Sequence, residues 1–170
     1  AFSVAYDGKL ADHSIDVETL APALLAFGKL IREANAELNG KRATARVVVV
    51  SDFEHKCFNI NFDVVLSYYE QLKTLVGSSD AVTAQNILEW IGFLAKGAGI
   101  LGSTGGLTYL GYLKLKKGRK VTSAEPLIFF EKFFCIEVHV EGDANSIHVH
   151  QHVYNLSQNP KALRATRDAF

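Results

Sequence analysis

Ile91-Gly-Phe-Leu-Ala-Lys-Gly-Ala-Gly-Ile-Leu-Gly-Ser-Thr-Gly-Gly-Leu-Thr-Tyr-Leu-Gly-Tyr-Leu113 is the stretch on which the reading of this chain turns, and Lys96 is its only formal charge. Trp90 precedes it, Tyr109 and Tyr112 lie near its end, and a basic flank of Lys114, Lys116, Lys117, Arg119 and Lys120 follows. Roughly 20 apolar residues at 1.5 Å rise cross a hydrocarbon core, and interfacial aromatics with a basic flank commonly accompany them. The composition therefore predicts a transmembrane helix or another membrane contact.

The glycines admit three readings. Ala98, Gly102 and Gly106 recur every fourth residue, a small-residue face along which helices of several copies approach closely. Ser103-Thr104-Gly105-Gly106 is a turn signal that folds the segment into a helical hairpin. Gly97-Ala98-Gly99-Ile100-Leu101-Gly102 matches a nucleotide-loop pattern, but that pattern must follow a strand, and residues 84–95 have helical spacing. A fourth possibility keeps the segment out of lipid, buried in a soluble protein, where tertiary packing must offset roughly 0.5–1 kcal/mol per helical glycine.

Working outward, residues 82–101 carry an apolar face of Ile87, Ile91, Leu94, Ala98 and Leu101. The polar stripe Gln85, Glu89 and Lys96 lies opposite, suited to line water in an oligomer or to face solvent in a soluble domain. Gly77-Ser78-Ser79-Asp80 breaks the chain before it. Upstream, Phe2, Val4 and Tyr6 alternate as a strand. Leu20, Leu24, Phe27, Ile31, Ala34 and Leu38 follow helical spacing from an Asp16 cap to an Asn39-Gly40 end. Arg46–Val50 and residues 58–62 read as an antiparallel hairpin, the valine run being continuous enough for a strand covered on both sides. Residues 64–76 have a helical pattern. Downstream, 118–126 reads as a basic linker, 133–140 and 146–154 as a second hairpin, and 161–170 as a helix led by Pro160.

The expected fold is α+β: a small antiparallel sheet on a long helix, a glycine-rich hydrophobic helix or helical hairpin, and a C-terminal hairpin plus helix. The expected boundaries are 1–77, 78–120 and 121–170.

Charge is balanced, with 18 Lys plus Arg against 18 Asp plus Glu, so no global field draws nucleic acid and none is expected as a partner. Cys57 and Cys135 are expected to be reduced thiols of a cytosolic domain. Residues 1–6 alternate where a secretory leader would place an apolar block, and the lack of methionine, with a helical pattern still running at Phe170, suggests a chain that continues past both ends. The expected location is a cytoplasmic domain with inner-membrane association, the alternative being cytoplasmic and soluble.

One cluster resembles chemistry. On the last hairpin Cys135, Glu137, His139, His148, His150 and His152 share one face. Alternate strand residues project the same way, so His148 and His150 can approach one zinc ion, with His139 completing the set if the register allows. The competing interpretations are a pH-sensitive contact surface or an ordinary wet face. Ser51, Asp52 and His55 sit in one tight turn and cannot aim at a common atom, and Glu54 and Glu70 lack acid/base partners. No catalytic set or small-molecule substrate emerges. A non-enzymatic role is expected, without a cofactor unless zinc binds the histidines, which would make a zinc-dependent hydrolase.

Asp12-His13-Ser14-Ile15-Asp16-Val17, then Leu20-Ala21-Pro22-Ala23-Leu24-Leu25-Ala26-Phe27-Gly28, then Asn35 with Leu38-Asn39-Gly40, resembles a family of uncharacterised bacterial proteins met in prophages and mobile elements. That family implies the long helix, the valine hairpin, the glycine-rich segment with its basic end and a later hairpin with a helix. It implies no known activity. Together these readings predict a homo-oligomer that contacts or inserts into a membrane through the glycine-rich segment, as a pore-type effector in phage-host conflict. The alternative is a soluble assembly or binding module with that segment buried between copies.

Overall fold

The apolar spacing after residue 16 produces α1, Val17–Asn39, in the computed structural model, which describes residues 2–5, 17–50, 59–68, 82–93, 107–129 and 133–170. Ala26, Phe27, Leu30, Ile31, Ala34 and Leu38 are buried along one side of α1. Lys29 and Arg32 remain exposed on the other. The helix stops at Gly40, whose φ of 58° lies in the left-handed region that glycine enters without a Cβ penalty. A 3₁₀ turn, Gly40–Arg42, then leads into the sheet.

Strands β1 (Phe2–Ala5), β2 (Ala43–Val50) and β3 (Asn59–Tyr68) pair antiparallel with β3 in the middle. Helix α1 packs on β2. The Phe27 ring lies 6.0 Å from that of Phe62 and meets Phe170 edge-on at 5.4 Å. Two expectations are corrected. The predicted helix over 64–76 is strand as far as Tyr68, because Val64 and Leu66 stand opposite Val47 and Ala45 and extend the ladder; residues 69–76 lie outside the described ones. The valines of β2 are not covered on both sides, since Val49 is 52% and Val50 46% exposed. In this three-stranded sheet β2 is an edge strand with a helix on one face.

Two buried asparagines tie this layer together. Asn35 Nδ2 donates to the Ala43 carbonyl at 2.8 Å. Asn39 Nδ2 donates to Asn35 Oδ1 and to the Val82 carbonyl, each at 3.0 Å, and Asn39 Oδ1 accepts the Val82 N–H at 3.1 Å. The Tyr68 hydroxyl donates to the same Val82 carbonyl at 3.3 Å. A primary amide can both donate to and accept from one peptide unit, so Asn39 holds Val82 as a neighbouring strand would.

The remaining elements are α2 (Ala84–Ile91), α3 (Tyr109–Lys116), β4 (Val121–Phe129), β5 (Phe133–Val140), β6 (Ile147–His150), α4 (Gln151–Gln158) and α5 (Pro160–Ala169). Strands β4, β5 and β6 form a second antiparallel sheet in that order. Ile136, Val138, Val140 and Val149 are buried on its inner face, with Ile136 opposite Val149. Helix α4 packs on β5 and β6, and α3 packs on α4. The expected linker over 118–126 is instead largely β4, whose residues 123–129 pair in unbroken register with β5. The expected strand over 146–154 ends at His150, because the next residues bury Val153, Leu156 and Ser157 on one side of a helix. Asn159 Oδ1 caps α5, accepting the Lys161 N–H at 2.9 Å, and Pro160 occupies the first turn, where no N–H is needed.

The fold is α+β, with a long N-terminal helix and a C-terminal hairpin followed by helix. The chain divides into residues 1–84 with 164–170, and residues 85–163. The boundary expected at 77 lies outside the described residues, and 121–170 is shared between both units. Among the described residues no helix is long and apolar enough to cross a membrane.

Replacing Asn39 with Ala should destabilise the protein by about 2 kcal/mol, since it leaves a part-buried Val82 N–H without its acceptor. A urea titration of the variant would show it as an earlier midpoint; an unshifted midpoint would show that the clamp contributes nothing.

Candidate functional site

Helix α2 ends at Ile91 in the middle of the apolar stretch. The Gly92 N–H and the Phe93 N–H both return to the Leu88 carbonyl, at 3.0 and 2.9 Å, and Gly92 has φ 110°. A hydrogen bond from the second residue beyond the helix back into its last turn is the Schellman ending. Only glycine adopts this backbone cheaply. It also fits for a second reason: a Cβ built on Gly92 would lie 2.8 Å from Thr108 Oγ1 and 3.5 Å from Leu110 Cβ. Thr108 caps α3, its hydroxyl accepting the Gly111 N–H at 3.1 Å.

The two ends of the glycine-rich stretch therefore touch. A continuous helix would hold Gly92 and Thr108 about 24 Å apart. One helix running unbroken from 91 to 113 is thus overturned. Ala98, Gly102, Gly106 and Lys96 lie outside the described residues.

The flanking residues separate into two groups. Tyr109 and Tyr112 are fully buried, so they are core side chains and not an interfacial belt. The Tyr112 hydroxyl has no hydrogen-bond partner among the described residues. Gln85 and Glu89 bond to each other along α2 at 3.2 Å. Lys114, Lys117 and Lys120 are exposed around the end of α3, and Lys116 is half-buried. Cations in the last turn also complement the helix dipole, which is the structural reason for them. Arg119 is committed elsewhere: its guanidinium bonds the Leu115 and Lys116 carbonyls and reaches Asp143 at 3.1 Å. The Asn145 N–H first, and then Arg119, hold the Asp143 carboxyl below its ordinary range.

The histidine row does not converge on one point. His148 and His139 both approach Glu137 Oε1, at 3.5 and 3.8 Å, on the outer face of the sheet. Ser146 Oγ lies 3.2 Å from His148 Nε2. Ser146 above all, with both imidazoles, keeps the Glu137 carboxyl low. His150 turns away from this group. Its ring packs 4.5 Å from Trp90 and 5.1 Å from His152, while His152 lies 6.2 Å from Trp90. His150 also caps α4, its Nδ1 accepting the His152 N–H at 3.2 Å. Among the described residues no group of three or more His, Cys, Asp or Glu is arranged to hold a metal ion. Cys135, opposite His150, is a free thiol, and Cys57 lies outside the described residues.

Two features went unread in the sequence. Thr108, three residues before Gly111, had the residue type and spacing of a helix cap. Histidine is an uncommon cap, so nothing marked His150 as the start of α4 or brought Trp90, sixty residues earlier, onto it.

Burial, and secondarily His152, pushes the His150 pKa below 6.5. A depressed histidine favours its neutral form in the folded state, so its stabilisation is complete above pH 6.5 and is lost as pH falls below that value. Glu137 and Asp143 lose theirs only as pH falls below ordinary values of 4.5 and 3.8. The urea midpoint should therefore drop between about pH 7.5 and about pH 5.5, and less so in His150→Asn, which keeps a capping acceptor. Gly92→Ala should cost about 2–4 kcal/mol, from the φ 110° backbone and the Thr108 collision together, read by thermal melting. Comparison with protein-family models, with curated proteins and with solved structures finds no match.

Proposed function

We propose that this chain is a non-enzymatic, self-associating protein that engages one leaflet of a membrane through residues 93–107, held at their base by Gly92 and Thr108. The observation that carries the reading is the contact between those two residues. It joins the ends of a 15-residue run whose only charge is Lys96. Half of such a run, fully extended, reaches about 25 Å, and as helix only about 11 Å. Neither arm crosses a hydrocarbon core of about 30 Å, so the segment enters lipid from one side and returns to it. A pore-type effector would require the Gly92–Thr108 contact to open first.

The exposed Lys114, Lys117 and Lys120 lie a few residues beyond the same point. Basic residues near an anionic surface contribute about 1 kcal/mol each, so the three favour acidic lipid over neutral lipid. Burial of Tyr109 and Tyr112 removes the aromatic belt that a spanning helix uses, and so favours a second reading, in which the glycine-rich run is covered by another copy of the chain.

Flotation with vesicles of neutral lipid, and of neutral lipid with added phosphatidylserine, separates the two. The expected result is co-flotation that strengthens with acidic lipid, weakens roughly tenfold or more when the three lysines become Gln, and disappears in Leu101→Glu. Protein that stays with the buffer in every sample, as an oligomer that Gly102→Leu dissociates, would establish the second reading instead.

A further inference from the structure

We propose that the outer edge of β2 pairs antiparallel with β2 of a second copy of this chain, about a two-fold axis at Val48, so that two three-stranded sheets become one. The inference rests on the self-association of the reading above, to which it assigns a surface, and it needs no membrane. The two sheets end in four edges, and three of them are blunted. Strands β1 and β6 have four residues each, and β4 carries Pro126 and a register shift between Val121 and Ser123. Short strands, proline and bulges are the features that keep a sheet from adding another strand. Strand β2 has none of them. All eight of its residues pair with β3 in unbroken register, Arg46 is its only charge, and among the described residues no strand lies along its other side.

The core layer of this sheet also stops one strand short. Phe62 and Val49 stand opposite each other in the ladder and so share the side of the sheet that α1 covers. Phe27 of α1 lies over Phe62, which is 1% exposed, whereas Val49 is 52% exposed. The helix thus covers the middle strand at this end and leaves the β2 side bare. An apolar strand laid along β2 would complete the layer, and β2 is itself such a strand. With the axis at Val48, Val49 of each copy stands opposite Val47 of the other, on the Phe62 side. A two-fold axis also sets the same outward N–H and C=O groups of both copies against each other, so the ladder closes on itself.

Arg46 selects the register. An axis at Arg46 would set two guanidiniums directly opposite, and one at Val47 would make them diagonal neighbours at about 7–8 Å, where like charges oppose pairing. An axis at Val49 would pair only residues 48–50 of β2. At Val48 the arginines stand about 13 Å apart along the strands, each opposite Val50 of the other copy, and residues 46–50 all pair. A foreign strand would have to supply the same valine run with its charge in the same place, which a second copy brings by symmetry.

Sedimentation velocity of the full chain in detergent-free buffer, from about 1 to about 200 μM, reads the dimerisation constant. Val50 is 46% exposed and Arg46 is exposed, so charge changes at either position leave the fold of one copy intact. The contact between Val50 and Arg46 occurs twice per dimer, so Val50→Lys should weaken dimerisation about fivefold or more, while Val50→Glu should hold it within about twofold or tighten it. Arg46→Glu combined with Val50→Lys exchanges the charges, keeps the register and should return the constant to within about threefold of the parent. In the parent, amide exchange of residues 46–50 should slow about fivefold or more as the dimer forms. Exchange that ignores concentration, or a dimer that Val50→Lys leaves unchanged or that the charge exchange fails to restore, overturns the β2 pairing and leaves self-association to another surface. A monomer over the whole range overturns the self-association and this inference together, and flotation with vesicles is read independently of both.

Discussion

The backbone of Gly92 lies against the hydroxyl that caps the following helix, closer than any side chain at that position would allow. Two separate requirements meet there: a left-handed φ that ends α2, and an empty place beside Thr108 that α3 occupies. Because one residue satisfies both, the beginning and the end of the apolar run are fixed at one place. The path of that run is then bounded by arithmetic, without knowledge of its conformation. Fifteen residues whose ends meet reach about 25 Å at most from that point when fully extended.

The same constraint gives meaning to what flanks it. Tyr109 and Tyr112, immediately after the closure, turn inward and become core. Lys114, Lys117 and Lys120 emerge where α3 runs out. Arg119 belongs to the same basic run by composition, yet it fastens the last carbonyls of α3 to Asp143 in the turn between β5 and β6. A charge engaged in this way contributes to the shape of the unit more than to its attraction for a surface, so the basic patch is smaller than five cations within residues 114–120 would suggest.

Local patterns were legible where one element's burial is set by its own period. The α1 face, the Val49–Phe62 end of the β2–β3 ladder, the inner face of β5 and the Pro160 start of α5 all follow from spacing and turn chemistry. The failures share a cause: short segments whose state is decided by a partner distant in sequence. Val64 to Tyr68 fits a helix or a strand equally well until Ala43 to Val47 is placed beside it. Val121 to Phe129 carries Pro126 and several polar residues, and only pairing with β5 makes it a strand. Residues 151–154 alternate convincingly, but burying Val153 together with Leu156 against the sheet requires helical spacing.

The histidines show the limit of reading a site by alternation alone. Strand periodicity correctly places Glu137 and His148 opposite each other, since both belong to the ladder. It also keeps His150 in the ladder, opposite Cys135, but does not show that the ring of this last strand residue is taken up by Trp90 and by the start of α4. One row of letters is thereby divided into two chemistries. The outer group shares a carboxylate and is wet; in the inner group His150 packs on Trp90 and is half-buried, which disfavours its charged form. Of the four, His150 is the one whose burial disfavours the charged ring, and it does so in contact with Trp90, two residues before Gly92.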